Sequence, residues 1–420
     1  MLLGPMVGVA SAVAGVAAGT RLPVGARSVG SGTWGKAKEV PGTAALNTDG
    51  NAATASVSCA SAGNCSAGGS YKDSSGHVQA FVVSQVNGTW GKANEVPGTA
   101  ALNQGGNAGV SSVSCASAGN CSAGGQYKDS SGHLQAFVVS QVNGIWGKAK
   151  EVPGTAALNQ GGNAGVSSVS CASAGNCSAG GSYGGFQDFV VSQVNGTWGK
   201  AKEVPGTAAL NQNGNASITS VSCGSAGNCS AGGTVTGNGA IQAFVVSQAG
   251  GTWGKAKVVP GTAALNQDGN ASTTAISCAS AGNCSLGGFY ADSSFHGRAF
   301  VVSQVHGTWG KAKQVPGFAA LDQGPSGTLG EVGGISCTSA GNCSAGGNYI
   351  DSSGHSQAFV VSQVHGTWGK AKEVPGTAAL NEGGNAAINS VSCGSAGNCS
   401  AGGFYKDSSG HQQAFVVSQT

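Results

Sequence analysis

Residues 111–154 read SSVSCASAGN CSAGGQYKDS SGHLQAFVVS QVNGIWGKAK EVPG, and their grammar decides the fold. Ser111 to Cys115 is a short strand. Ala116 to Asn120 is a five-residue turn, and Cys121 opens a second strand that runs to Tyr127. Lys128-Asp129-Ser130-Ser131-Gly132-His133 is a polar loop with turn chemistry. Gln135 to Gln141 is a third strand, rich in β-formers. Asn143-Gly144 is a strong hairpin signal. Trp146 to Val152 makes a fourth strand that Pro153-Gly154 ends, and Thr155 to Gly165 leads onward.

This unit recurs. Cysteine pairs of one spacing stand at Cys59/Cys65, Cys115/Cys121, Cys171/Cys177, Cys223/Cys229, Cys278/Cys284, Cys337/Cys343 and Cys393/Cys399. Trp34, Trp90, Trp146, Trp198, Trp253, Trp309 and Trp368 keep step with them. A fixed period of this kind means a repeat architecture. Four antiparallel strands per unit, seven units and no helical periodicity specify an all-β, seven-bladed β-propeller. Small residues fill the first two strands, where blades converge on the axis. Phe, Val and Trp fill the outer two, where neighbouring sheets diverge. The chain enters the repeat at Thr33-Trp34, a fourth strand, and stops after a third strand at Ser418-Gln419. The N-terminal strand 33–40 is therefore expected to pair with the last three strands, around Val391, Ala401 and Val416, and close the ring. A linear solenoid would leave both edges exposed.

Each cysteine pair flanks the turn between strands one and two, which sets the two residues opposite each other across the ladder, at a separation suited to a disulfide. A loop this short stabilises its blade by roughly 2–2.5 kcal/mol. Metal ligation is the rival reading, since His77 and His133 follow their cysteine pairs. The units at Ser182–Phe189 and Thr234–Ala243 keep both cysteines without a histidine, and the spacing is not that of a zinc finger. Disulfides are expected, and with them an oxidising compartment.

Residues 1–30 differ from the rest. Leu2, Leu3, Val7, Val9, Val13 and Val16 form an apolar run, and Val16-Ala17-Ala18 and Val24-Gly25-Ala26 offer cleavage sites of a secretory signal peptide, although no Lys or Arg precedes the run. The domain organisation is thus a leader and short linker (1–30) followed by the propeller (31–420), exported to the extracellular space. The run is too short and Gly-rich for a stable membrane span. Only 8% of residues are charged, and the net charge of +3 is spread without a basic cluster. A nucleic-acid partner is therefore not expected. No cofactor or metal motif is present, and a monomer is expected.

The phrases Gly-Thr-Trp-Gly-Lys-Ala, Val-Pro-Gly-Thr-Ala-Ala-Leu-Asn, Ser-Val-Ser-Cys-Ala-Ser-Ala-Gly-Asn-Cys and Gln-Ala-Phe-Val-Val-Ser resemble a family of secreted repeat proteins of actinobacteria, over nearly everything after residue 30. That resemblance implies architecture and export, with no activity attached. Ser84-Gln85-Val86-Asn87-Gly88-Thr89-Trp90 is weakly similar to the Asp-box of sialidase-type propellers. It is one residue shorter and has no Asp at the defining position, so it implies fold and not catalysis.

In a propeller the turns after strands one and three share one face, and the loops after strands two and four share the other. The second face carries the longer, polar loops, where function concentrates. The candidate ligand-binding residues are therefore Lys72, Asp73 and His77; Lys128, Asp129 and His133; Asp351 and His355; and Lys406, Asp407 and His411. The plain alternative is that Asp caps the turn and His is solvated. Repetition suits avidity for a repetitive ligand such as a polysaccharide, with Tyr71, Tyr127 and Tyr405 as stacking faces or core rim. Asn47-Thr48-Asp49-Gly50-Asn51 and Asn266-Gln267-Asp268-Gly269-Asn270 read as turns and not calcium loops, because the bidentate Glu is missing. The expected function is a non-enzymatic binding or scaffold module for extracellular glycan or a cell-surface partner. The alternative is a glycoside hydrolase or lyase at the irregular loops near Glu331 and Glu382, and a third reading is a purely structural envelope protein. With three arginines in the chain, a sialidase-type arginine cluster cannot be built.

Overall fold

The computed structural model describes residues 39–184, 187–212 and 214–419. The expected leader and most of the expected closing strand 33–40 lie outside the described residues. Seven antiparallel sheets follow one another along the chain as blades 1–7, and the protein is an all-β, seven-bladed propeller. Blade 1 shows the pattern: strands Ala52–Ser61, Asn64–Lys72 and Val78–Val86 pair in sequence order, and the fourth position is filled by Thr89–Trp90 and Asn94–Glu95. Blade 7 has three described strands, Ala387–Ser395, Asn398–Lys406 and Gln412–Ser418.

The fourth strand is not continuous, as the sequence pattern suggests, but broken. In blade 2, Ile145–Trp146 and Lys150–Glu151 pair with the third strand, the Gly147 amide still donates to the Ser140 carbonyl at 2.9 Å, and Lys148 and Ala149 leave the ladder. The reason is a hydrogen bond to the neighbouring blade: the Ala149 amide donates to the Pro97 carbonyl at 2.7 Å. The segment that leads to the next blade also holds a single helical turn, Thr155–Leu158, which follows Gly154 at φ 89°. Only glycine takes that conformation without steric cost. The Thr155 hydroxyl donates to the Val152 carbonyl at 2.7 Å and sits buried under the turn.

Blades stack through apolar side chains and a repeated polar stitch. Phe137, Val139 and Val113 of blade 2 pack with Val82 and Ala80 of blade 1. At all six boundaries between consecutive blades, the first cysteine's amide donates to a serine hydroxyl of the preceding blade: Cys115 to Ser58, Cys171 to Ser114, Cys223 to Ser170, Cys278 to Ser222, Cys337 to Ser277 and Cys393 to Ser336. The second strand must be small because the next blade lies against it. A Cβ on Gly68 would stand 2.7 Å from Val110. The two end blades differ: Val57 is 56% exposed, against 5% for its counterpart Val113. Gly394 has open space where Gly224 faces Ser280 of the next blade.

All seven cysteine pairs are disulfides: Cys59–Cys65, Cys115–Cys121, Cys171–Cys177, Cys223–Cys229, Cys278–Cys284, Cys337–Cys343 and Cys393–Cys399. Each joins direct partners across strands one and two. No described cysteine is free, so the thiolate-ligand reading falls. The structure corrects the expected geometry in one respect. The Cα atoms of Cys59 and Cys65, of Cys171 and Cys177, and of Cys223 and Cys229 lie 3.9 Å apart. That is closer than the usual disulfide separation of roughly 4.4–6.8 Å. A break in ladder register just after the first cysteine accompanies the close approach. Burial also removes the second cysteine of each pair from any ligand-binding surface. Cys65, Cys121, Cys177, Cys229, Cys284, Cys343 and Cys399 are all buried. The sulfurs of Cys121, Cys177 and Cys229 lie 3.4, 3.5 and 3.4 Å from the hydroxyls of Ser66, Ser122 and Ser178 in the preceding blade. These residues are structural, and they belong to the packing between blades as well as to the turn.

Candidate functional site: the loop face

The loops after strands two and four lie together, and hydrogen bonds tie them into one unit per blade boundary. At the boundary of blades 1 and 2, Asp73 Oδ1 accepts the amides of Ser75 and His77 at 2.9 and 3.0 Å. Its Oδ2 accepts Gln79 Nε2 at 2.8 Å, and Gln79 Oε1 accepts Asn103 Nδ2 at 2.8 Å. Asn103 Oδ1 in turn accepts the amides of Asn107 and Lys128. Asp129, Gln135 and Asn159 repeat the chain at the next boundary, and Asp351, Gln357 and Asn381 repeat it between blades 6 and 7. The Gln hydrogen bond, with backbone amides behind it, holds the carboxyls of Asp73, Asp129 and Asp407 below the usual aspartate range.

Each sequence-predicted residue therefore has a definite place. Asp73, Asp129, Asp351 and Asp407 organise their own loops. His77, His133, His355 and His411 are exposed, and the first three lie against the backbone of Gly106, Gly162 and Gly384 in the following loop. Lys72, Lys128 and Lys406 are half-buried, and Lys72 pairs with Asp49 at 2.5 Å. Tyr71 and Tyr127 are core residues at 4% exposure, so the stacking role does not suit them; burial pushes the Tyr71 hydroxyl up to about 12. Glu331 begins the first strand of blade 6, and burial raises its carboxyl above the usual range, while Glu382 is exposed.

Two departures from the repeat acquire their meaning only in the folded structure. Asp188 stands where other blades have alanine, such as Ala80 and Ala136. It is fully buried, and its Oδ1 accepts the Thr207 hydroxyl at 2.8 Å, while Oδ2 has no hydrogen-bond partner. Burial pushes this carboxyl up to about 7. The second departure is the boundary of blades 5 and 6. There Arg298 replaces the repeat's Gln and Asp322 replaces its Asn. Arg298 Nε donates to Asp292 Oδ2 at 3.0 Å, and Nη1 donates to Asp322 Oδ2 at 2.6 Å. Both substitutions were visible in the sequence; their meeting across 24 residues was not.

The opposite face holds the disulfide turns and the Asn-Gly hairpins. Recesses of about 270, 280 and 300 Å³ open between blades 1 and 2, 5 and 6, and 6 and 7. In the first of them polar groups of the two blades satisfy one another. Gln141 Nε2 and Trp146 Nε1 both donate to Ser84 Oγ, and Ser66 and Ser84 share a hydrogen bond of 3.0 Å.

No protein-family model and no curated protein matches the chain. Solved propellers match it at low identity. A GH74 xyloglucanase from Xanthomonas campestris is 12% identical over 87% of this chain and 54% of that one, with a TM-score of 0.49. This chain thus spans about half the xyloglucanase's length. The β-propeller domain of Cps50 (Swd1) from Myceliophteria thermophila is 10% identical over 88% of this chain and 100% of that one, with a TM-score of 0.45. The fucose-specific lectin from Aleuria aurantia is 11% identical over 76% of this chain and 95% of that one, with a TM-score of 0.34.

Proposed function

We propose that this protein is a non-catalytic binding module, exported from the cell, whose ligand is an extracellular glycan or a surface partner. One observation carries the reading. The same hydrogen-bonded loop pair recurs at the boundaries of blades 1/2, 2/3 and 6/7, and each leaves an exposed histidine and serines at the surface. A rigid array of equivalent contacts multiplies weak affinities when the ligand is itself repetitive. The seven disulfides favour an oxidising compartment. Among the described residues no helix is long and apolar enough to cross a membrane.

A second reading has one observation behind it. A glycosidase needs a carboxyl held above its usual range, and burial raises that of Glu331, where the irregular loop enters the first strand of blade 6. One experiment separates the two. The oxidised protein is incubated with soluble polysaccharides and cell-wall fractions, and binding and released reducing ends are followed together. Saturable binding without release supports the module; release that disappears in Glu331→Gln supports the hydrolase.

A further inference from the structure

We infer that the ring of Phe295, at the loop-face boundary of blades 5 and 6, is a specificity-determining platform on which one pyranose ring of a neutral oligosaccharide stacks. The inference rests on the binding-module reading and names the place where that module meets its ligand.

The departures from the repeat converge there. Where blade 1 reads Lys72-Asp73-Ser74-Ser75-Gly76-His77-Val78-Gln79, blade 5 reads Ala291-Asp292-Ser293-Ser294-Phe295-His296-Gly297-Arg298. The facing helical turn begins with Phe318 in place of threonine and ends at Asp322 in place of asparagine. The loop that follows is longer: ten positions separate Asp322 from Val332, against seven from Asn103 to Val110.

Phe295 has a backbone angle φ of 63°, and the glycines at its place in other blades, Gly76, Gly132, Gly354 and Gly410, have 78°, 84°, 81° and 80°. A bulky side chain in that region is strained. Burial does not offset the strain, because Phe295 is 60% exposed. Backbone strain kept against an available glycine is the mark of a position selected for what it contacts.

The backbone that carries the ring is also held in place. The Phe295 carbonyl accepts the Gly327 amide at 2.7 Å, and the Gly297 amide donates to the Thr328 carbonyl at 2.8 Å. Gly297 is required because a Cβ there would meet Leu329 at 2.5 Å. Arg298 clamps the two loops through Asp292 and Asp322. A fixed backbone beneath the ring lowers the ordering cost of binding.

The chemistry selects the ligand class. Arg298 against Asp292 and Asp322 leaves one formal negative charge, carried by side chains that are mostly buried, and Ala291 stands where other loops carry lysine, so the site offers no cation to an anionic ligand. What it offers is the exposed Phe295 ring and, on the loop bonded to its backbone, Leu329, which is 41% exposed, with the exposed hydroxyl residues Ser293, Ser294 and Ser326 on the same two loops. A sugar ring has the matching character, C–H groups on its face and hydroxyls on its rim. Two apolar side chains fall far short of the roughly 800 Å² per partner that a stable protein interface buries.

The test is affinity electrophoresis of the intact, oxidised protein through gels that hold a soluble neutral β-1,4-glucan, β-1,3-glucan or α-mannan. Phe295→Gly restores the repeat residue and Phe295→Tyr keeps the ring. The expected result is retardation of the parent and of Phe295→Tyr, and an association constant roughly tenfold lower in Phe295→Gly, with a melting temperature at or above the parent's. Equal retardation of the parent and Phe295→Gly overturns the platform and leaves the glycan reading standing. No retardation of the parent in any of the three gels overturns both.

Discussion

The boundary of blades 1 and 2 and the boundary of blades 5 and 6 perform one structural task with different charges. In the first, Asp73, Gln79 and Asn103 form a chain with one charge. In the second, Asp292, Arg298 and Asp322 occupy the same three positions with three charges. Burial pushes the Asp322 carboxyl up, opposed by the Ile350 amide and by Arg298. The aspartate keeps the same turn in both, while the loop after Asp322 is three positions longer than the one after Asn103. The scaffold accepts a changed chemistry when partners change as a set, so a compensated cluster marks where the molecule has been adapted and an uncompensated residue marks strain.

The comparison breaks most completely if the shared framework is removed. Reducing the seven disulfides withdraws about 2 kcal/mol per blade, a total comparable with the net stability of a whole domain, roughly 5–15 kcal/mol. Thermal melts with and without reductant should show both boundaries lost together.

Asp188 sharpens the contrast between compensated and lone departures. Its folded value, about 7, lies above the unfolded one, so its protonated form favours the fold. That contribution is complete below about pH 4 and is lost as pH rises through about 7, a change of up to about 4 kcal/mol. Protonation also resolves a conflict, since the single Thr207 hydroxyl proton is shared between Asp188 Oδ1 and the Val204 carbonyl. Asp188→Ala should stabilise the protein above pH 7 and remove this slope; an unchanged slope in denaturant titrations at pH 5 and 8 would refute it.

Next in size is the ion cluster itself. Arg298→Gln alone strands the buried Asp322 carboxylate without a cation and should cost about 3 kcal/mol. The double substitution Arg298→Gln with Asp322→Asn restores the repeat pair and should recover most of that loss. Additive losses in the cycle would mean that the two residues do not act as a pair.

The smallest effect concerns an ordinary boundary. Gly106 has φ 68°, and a Cβ there would lie 2.5 Å from the His77 ring. Gly106→Ala should cost about 1–2 kcal/mol by urea unfolding, and Gly106→Ala with His77→Ala should return part of it.

The fold was legible because its signals are local and repeated. Cysteines flanking a five-residue turn, Asn-Gly hairpins and periodic tryptophans each report on a few neighbouring residues. The pairing of Cys65, Cys177 and Cys229 with their partners followed from spacing, but their burial against a neighbouring blade did not, because spacing carries no information about the next sheet. The broken fourth strand was not legible either, since its cause is a bond from Ala149 to Pro97 in the preceding blade. The candidate loops were found, and their capping role was among the readings, but the Asp–Gln–Asn chain joins Gln79 to Asn103 across 24 positions and needs the folded boundary to appear. Phe295 was in plain view as a letter. Its meaning lies in a positive φ inherited from the repeat, which composition and spacing do not reveal.

The stitch from each cysteine amide to the preceding blade's serine uses the same two atoms at all six boundaries. Where the Gln–Asn pair is kept as well, at boundaries 1/2, 2/3 and 6/7, the leaving side of one blade therefore fits the receiving side of another. Unequal recombination between such boundaries, if it keeps the reading frame, can delete or insert whole blades without creating a mismatched junction. What limits blade number in such a protein is the wedge angle that closes a circle, not recognition between neighbours.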